Sequence, residues 1–91
     1  MEIKEVMDRK HRFRDLHERL HYTAAQTAAV IGRVEGTVYQ YLSHVPTSLA
    51  PTDRAISKLE TEFRSRSRDQ LATLVRQMQE EGVLISIGLA A

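Results

Sequence analysis

The sequence predicts an all-α fold: a bundle of four to five helices, followed by a short strand-like segment used in dimerisation. Three observations carry that expectation. Apolar residues recur at steps of three, four or seven through most of the chain. Helix-start signals stand at Thr23, at Pro51 to Asp53 and at Ser67, and glycines fall where helices should stop, at Gly32 and Gly82. One stretch alone, 83–89, alternates with the period of a strand.

Composition sets the bounds. Ninety-one residues with 42% hydrophobic and 27% charged content suit one small helical domain with a single core. Zero cysteines exclude disulfide scaffolds, thiol catalysis and cysteine-bound zinc. No apolar run approaches the ~18 residues of a membrane span, and MEIKEVMDRK has no signal-peptide apolar region. A cytoplasmic protein without membrane partners is expected. The net charge of +1 neither demands nor excludes nucleic acid, so its distribution matters more. Residues 1–22 carry six basic and five acidic side chains, residues 52–91 carry six of each, and the segment between holds only Arg33 and Glu35.

Residues 2–21 read as one long helix with Ile3, Val6, Met7, Phe13, Leu16 and Leu20 as its apolar stripe. Glu5 with Arg9, and Asp15 with Arg19, form i, i+4 pairs that each stabilise by about 0.2–0.5 kcal/mol. Phe13, Leu16 and Leu20 should cover whatever follows. Within this helix His17-Glu18-Arg19-Leu20-His21 satisfies H-E-x-x-H, a spacing that can place two imidazoles and a general base on one zinc ion. The context opposes it. Too little chain precedes the motif for the sheet that zinc peptidases build there, and neither Glu35 nor His44 makes a convincing third ligand. No metal, cofactor or enzymatic activity is expected.

The stretch 23–44, TAAQTAAVIGRVEGTVYQYLSH, reads as two short helices and a tight turn. Thr23 with Gln26 makes a capping box that starts a helix at Ala24. Ala28 and Ile31 face inward, and Gly32 supplies the positive φ that ends the helix. A second helix over 35–43 puts Val38, Tyr41 and Leu42 on one face and leaves Glu35, Thr37, Tyr39, Gln40 and Ser43 outward. Ala28 permits a close crossing, Gly32 makes the turn, and Val38 plugs the joint.

HVPTSLAPT then forms a loop. Pro51 and Thr52 suit the first turn of a fourth helix, Asp53 favours its positive end, and Ile56, Leu59 and Phe63 form its inward face. Arg64, Arg66 and Arg68 interrupt that stripe as candidate phosphate contacts or as a solvated corner. Ser67 with Gln70 makes another capping box, so either a new helix starts there or a long one continues with a changed face. Leu71, Leu74, Val75 and Met78 form the new stripe. Val83, Ile85 and Ile87 lead the strand-like run, whose lack of a partner in the chain favours pairing with a copy of itself, or capture of another protein. The expected division is 1–66 for the leading domain and 67–91 for a dimerisation segment.

Ala28, Gly32 and Val38, with the leading helix before them and the closing helix after, resemble the helix-turn-helix of the Cro and phage-repressor (XRE-type) family over about residues 12–65. The resemblance implies that the second short helix lies in the major groove of duplex DNA while the first crosses the backbone above it. Carried over, Glu35, Gly36, Thr37, Tyr39, Gln40 and Ser43 line the groove. Gln40 is then suited to adenine N6 and N7, Thr37 to a thymine methyl, Glu35 to cytosine N4 and Tyr39 to a phosphate. Two positions depart from the family. The slot after Gly32, commonly apolar, holds Arg33, with Val34 taking its place. The family's glutamine at the start of the first short helix is replaced by Ala24, with Gln26 two residues late. The implied function is a phage or bacterial transcriptional regulator, a repressor binding a palindromic operator as a homodimer. The alternatives are an antitoxin that also represses its own operon, or an accessory DNA-binding protein of a transposition system.

Overall fold

The computed structural model describes residues 2–81; the strand-like run with Val83, Ile85 and Ile87 lies outside them. The described residues form four helices: α1 (Ile3–Leu20), α2 (Ala24–Ile31), α3 (Glu35–Leu42) and α4 (Asp53–Glu80). α1 and α4 lean on each other, α2 packs between α4 and α3, and α3 closes against α1.

The start and stop signals at Thr23 and Gly32 act where the sequence puts them. Thr23 Oγ1 accepts the Gln26 N–H at 3.2 Å, and the Gln26 side chain accepts the Thr23 N–H at 2.8 Å, so both halves of the capping box are made. Gly32 sits at φ 70°, and the Arg33 N–H reaches back to the Ala28 carbonyl at 3.0 Å, closing α2 with a 6→1 bond. α1 also ends on a left-handed residue, His21 at φ 57°, whose N–H donates to the Glu18 carbonyl at 3.1 Å and which is not a glycine. Thr52 caps α4 by accepting the Ala55 N–H at 3.1 Å. Pro51 is buried just outside the helix, so the first turn begins at Asp53.

The core is Phe13 and Leu16 of α1, Ala28 and Ile31 of α2, Val38 and Tyr41 of α3, and Ala55 and Leu59 of α4. Phe13 and Tyr41 meet edge to face, their centroids 5.2 Å apart. Leu20, Leu42, Ile56 and Phe63 pack around this centre half-buried. The forward part of the expected α1 stripe does not join it: Ile3 is 69% exposed, and Val6 and Met7 are half-buried. Two further expectations are corrected. Arg9 turns from Glu5 to Asp53 and the Pro51 carbonyl, because a carboxylate and a carbonyl at the start of α4 together outbid one on its own helix. Val34 does not take an inward slot, being 72% exposed at the amino end of α3. Of the two possibilities at Ser67, the long helix continues. α4 runs unbroken for 28 residues, across the 66/67 division, because neither glycine nor proline interrupts it.

Two polar groups tie the helices together. Lys10 is fully buried, one turn before Phe13. Its ammonium donates to the Gln40 carbonyl at 2.5 Å, to Ser48 Oγ at 2.6 Å and to the Leu49 carbonyl at 3.0 Å, which uses all three protons. Arg14, one turn on, donates to the Leu42 carbonyl at 3.2 Å. Both cations therefore sit on carbonyls of the last turn of α3, where the helix dipole also favours them; the Gln40 carbonyl accepts from the Ser43 N–H as well. Burial lowers the Lys10 pKa below the usual lysine value, and Arg14 pushes the same way. The three oxygens oppose that drift by accepting from the charged form. At the other joint, His17 Nδ1 lies 2.7 Å from the buried Thr27 Oγ1. Burial holds the imidazole below its ordinary pKa, with Glu18 opposing.

Lys10→Met keeps the apolar stem but strands the oxygens that the ammonium served. We expect a loss of about 3 kcal/mol in urea unfolding; a loss below about 0.5 kcal/mol would show that the clamp contributes little. His17 sets the pH response. Its folded pKa lies below its unfolded one, so its contribution is full above the ordinary imidazole range and falls as pH drops through it. Melting temperature should therefore decline between pH 8 and 5.5, and less so in His17→Gln; parallel declines in the two proteins would exclude His17 as the cause.

Candidate nucleic-acid interface

α3 is short, and its two faces are sharply divided. Val38 and Tyr41 point into the core, so helical spacing turns Glu35, Gly36, Tyr39 and Gln40 to solvent. Thr37 and Ser43 are half-buried at the edges. Ser43 is also engaged, its Oγ accepting the Val45 N–H at 3.0 Å. Tyr39 is 60% exposed and places a large apolar ring beside polar groups on this face. Gln40 combines an exposed side chain with a carbonyl gripped by Lys10, so its amide projects from a backbone fixed from beneath. No side chain caps the amino end of α3. A Cβ added to Gly36 would meet no atom within 4 Å, so the surface there is open to a close approach.

Gln26 is exposed at the amino end of α2, its side-chain oxygen committed to the capping box. It shares a recess of about 430 Å³ with Tyr22, Arg66 and Ser67. Arg66 is anchored there. Its Nε donates to Tyr22 Oη at 2.7 Å and lies 3.4 Å from Glu62, the guanidinium stacks 5.7 Å from the Tyr22 ring centre, and Tyr22 Oη donates to Glu62 at 2.9 Å. Arg64 borders a crevice between α1 and α4 with Arg12, Glu60 and Phe63. Alternate residues on a helix point about 200° apart, so Arg64 and Arg68 face away from Arg66. The three arginines do not form one grip.

Two cations that the sequence reading passed over gather at the turn. Arg54 and Lys58 of α4 line a recess of about 290 Å³ with Gly32 and Arg33, and the Lys58 ammonium lies 3.7 Å from where a Gly32 Cβ would be. None of Arg33, Arg54 and Lys58 pairs with a carboxylate among the described residues, whereas Arg9, Arg12, Arg19 and Arg66 all do. Their i, i+4 spacing on α4 was visible in the chain; their approach to Gly32 depends on how α4 packs on α2. The H-E-x-x-H histidines are separated by the end of α1: His17 turns to Thr27, while His21 is the left-handed cap and is exposed.

No protein-family model matches the chain, and neither a curated protein nor a solved structure matches it.

The open surface at Gly36 has a direct consequence. Gly36→Ala should stabilise the fold by about 0.5–1 kcal/mol, since alanine gains helix propensity and clashes with nothing. A fall in urea stability would mean that a neighbour occupies that space.

Proposed function

We propose that this chain is a sequence-specific duplex-DNA-binding regulator of transcription, a repressor of the Cro-like type, with α2 and α3 as its helix-turn-helix. One observation carries the reading. α3 buries Val38 and Tyr41, presents Glu35, Gly36, Tyr39 and Gln40 to solvent, and has its C-terminal carbonyls clamped by Lys10 and Arg14. A helix that reads base edges needs this combination, because bidentate contacts tolerate little movement of the backbone that bears them.

Gln40 is the adenine reader through N6 and N7, Thr37 touches a thymine methyl from the edge of the face, and Glu35 accepts from cytosine N4. Tyr39 reaches a phosphate, and Gly36 lets the backbone approach the groove. The cations beside the helix pair supply what the net charge of +1 does not: Arg33, Arg54 and Lys58 at the turn, Arg66 with Gln26 at the start of α2. Binding to a palindrome calls for two copies.

Selection of bound sites from random duplex DNA at low salt tests this directly and should enrich a two-fold-symmetric site. On that site Gln40→Ala should lose about 1–3 kcal/mol and relax preference at one base pair per half-site. Equal loss on every sequence would make Gln40 a positioning residue, and no enrichment at all would rule out the reading.

A further inference from the structure

Past Arg66, whose side chain still reaches Tyr22, α4 leaves the bundle. Its 28 residues extend about 42 Å at 1.5 Å per residue, within a molecule measuring 54 × 25 × 19 Å. On this arm Leu71 is 61% and Leu74 51% exposed, and Val75 and Met78 beside them are half-buried. Four apolar side chains on one stripe of a projecting helix are more than scattered surface hydrophobes.

The spacing of the four carries information. From Leu71 to Met78 the steps are three, one and three, the same read from either end. A second copy running antiparallel therefore sets Leu71 against Met78 of the second copy, and Leu74 against Val75 of the second copy. All four residues of each arm enter one seam. Charge selects the same direction. Arg68 flanks the start of the stripe and Glu81 its end, while Arg66 is already paired with Glu62. Antiparallel arms centred between Leu74 and Val75 set Arg68 of each opposite Glu81 of the other, and they also oppose the helix dipoles favourably. Parallel arms would stack each of these charges on its own copy.

We propose that the α4 arm is the self-association surface of this protein, and that two copies pair through it as antiparallel helices centred between Leu74 and Val75. This goes beyond the DNA reading and stands without it, since the stripe and its flanking charges need no nucleic acid.

The chain contains no cysteine, so single cysteines introduced into the full chain report direction. After mild oxidation with diamide in the absence of DNA, Leu74→Cys should give a covalent dimer, because the two copies of that position lie across the centre. Leu71→Cys alone and Met78→Cys alone should stay largely uncrosslinked. In each, the two cysteines sit seven residues apart along the seam, about 10 Å at 1.5 Å per residue, beyond the reach of a disulfide. Mixing those two variants should restore the crosslink. Efficient self-crosslinking of Leu71→Cys would overturn the antiparallel arrangement. A monomeric wild-type chain in sedimentation, with no crosslink in any variant, would overturn self-association and leave the stripe to residues 82–91 or to another protein. As a second measure, Leu74→Glu lies far from the core and should leave the helical content unchanged while weakening dimerisation by about a hundredfold; an unaltered sedimentation profile would count against the surface. Loss of DNA binding with the crosslinking pattern intact would fault the DNA reading and leave this one standing.

Discussion

The buried ammonium of Lys10 is the constraint on which the rest of the arrangement depends. A lone charge in a small core costs several kcal/mol, so it survives there only with its protons placed. Lys10 places all three on oxygens of the segment that ends α3 and leads to α4. Ser48 serves twice, accepting from Lys10 and lying within hydrogen-bonding distance of the Val45 carbonyl at 2.8 Å. One cation thus fixes the end of a two-turn helix and folds the following loop against α1. An eight-residue helix has little stability of its own. α3 holds its shape because its core side chains are packed and its last carbonyls are claimed.

That division of labour explains how α3 can give its outer face to a ligand. Val38 and Tyr41 supply apolar burial from within, with Phe13 edge-on to the tyrosine ring. Lys10 and Arg14 supply polar anchorage at one end, and the closed turn at Gly32 supplies it at the other. Glu35, Gly36, Tyr39 and Gln40 are left without a structural task for their side chains. The exposed ring of Tyr39 on this face is the kind of group that a binding partner covers.

Local features of the fold were legible in the sequence, and contacts between distant residues were not. Thr23, Gln26 and Gly32 act through neighbours within a few positions, so their roles follow from residue type and spacing. Ala28 and Ile31 of α2, Val38 and Tyr41 of α3 and Leu59 of α4 follow from period, whereas the buried Thr27 and Ala55 did not stand out. Lys10 was not legible, because nothing near it in the chain marks a lysine that will meet residues 40, 48 and 49. Arg9 and Val34 misled for the same reason: a local rule assigned each a neighbour or a slot that tertiary packing then changed. Arg54 and Lys58 became part of the candidate site only when α4 packed against the Gly32 turn. At Ser67 two signals competed, and the unbroken run of helix-forming residues prevailed over an internal capping pattern.

The continuity of α4 also has a mechanical meaning. A hinge between the bundle and the arm would let each bundle swivel to suit whatever it meets. A helix with no break resists both bending and twisting, so it behaves as a shaft and sets the rotational phase between its two ends. Each residue along that shaft contributes about 100° of rotation and 1.5 Å of length. Inserting one residue near Ser67 would swing the bundle about a quarter turn relative to the arm, while inserting seven would nearly restore its heading at a greater reach. Length and phase are therefore inherited together, and the reach of the arm can change at a nearly fixed heading only in steps close to whole pairs of helical turns.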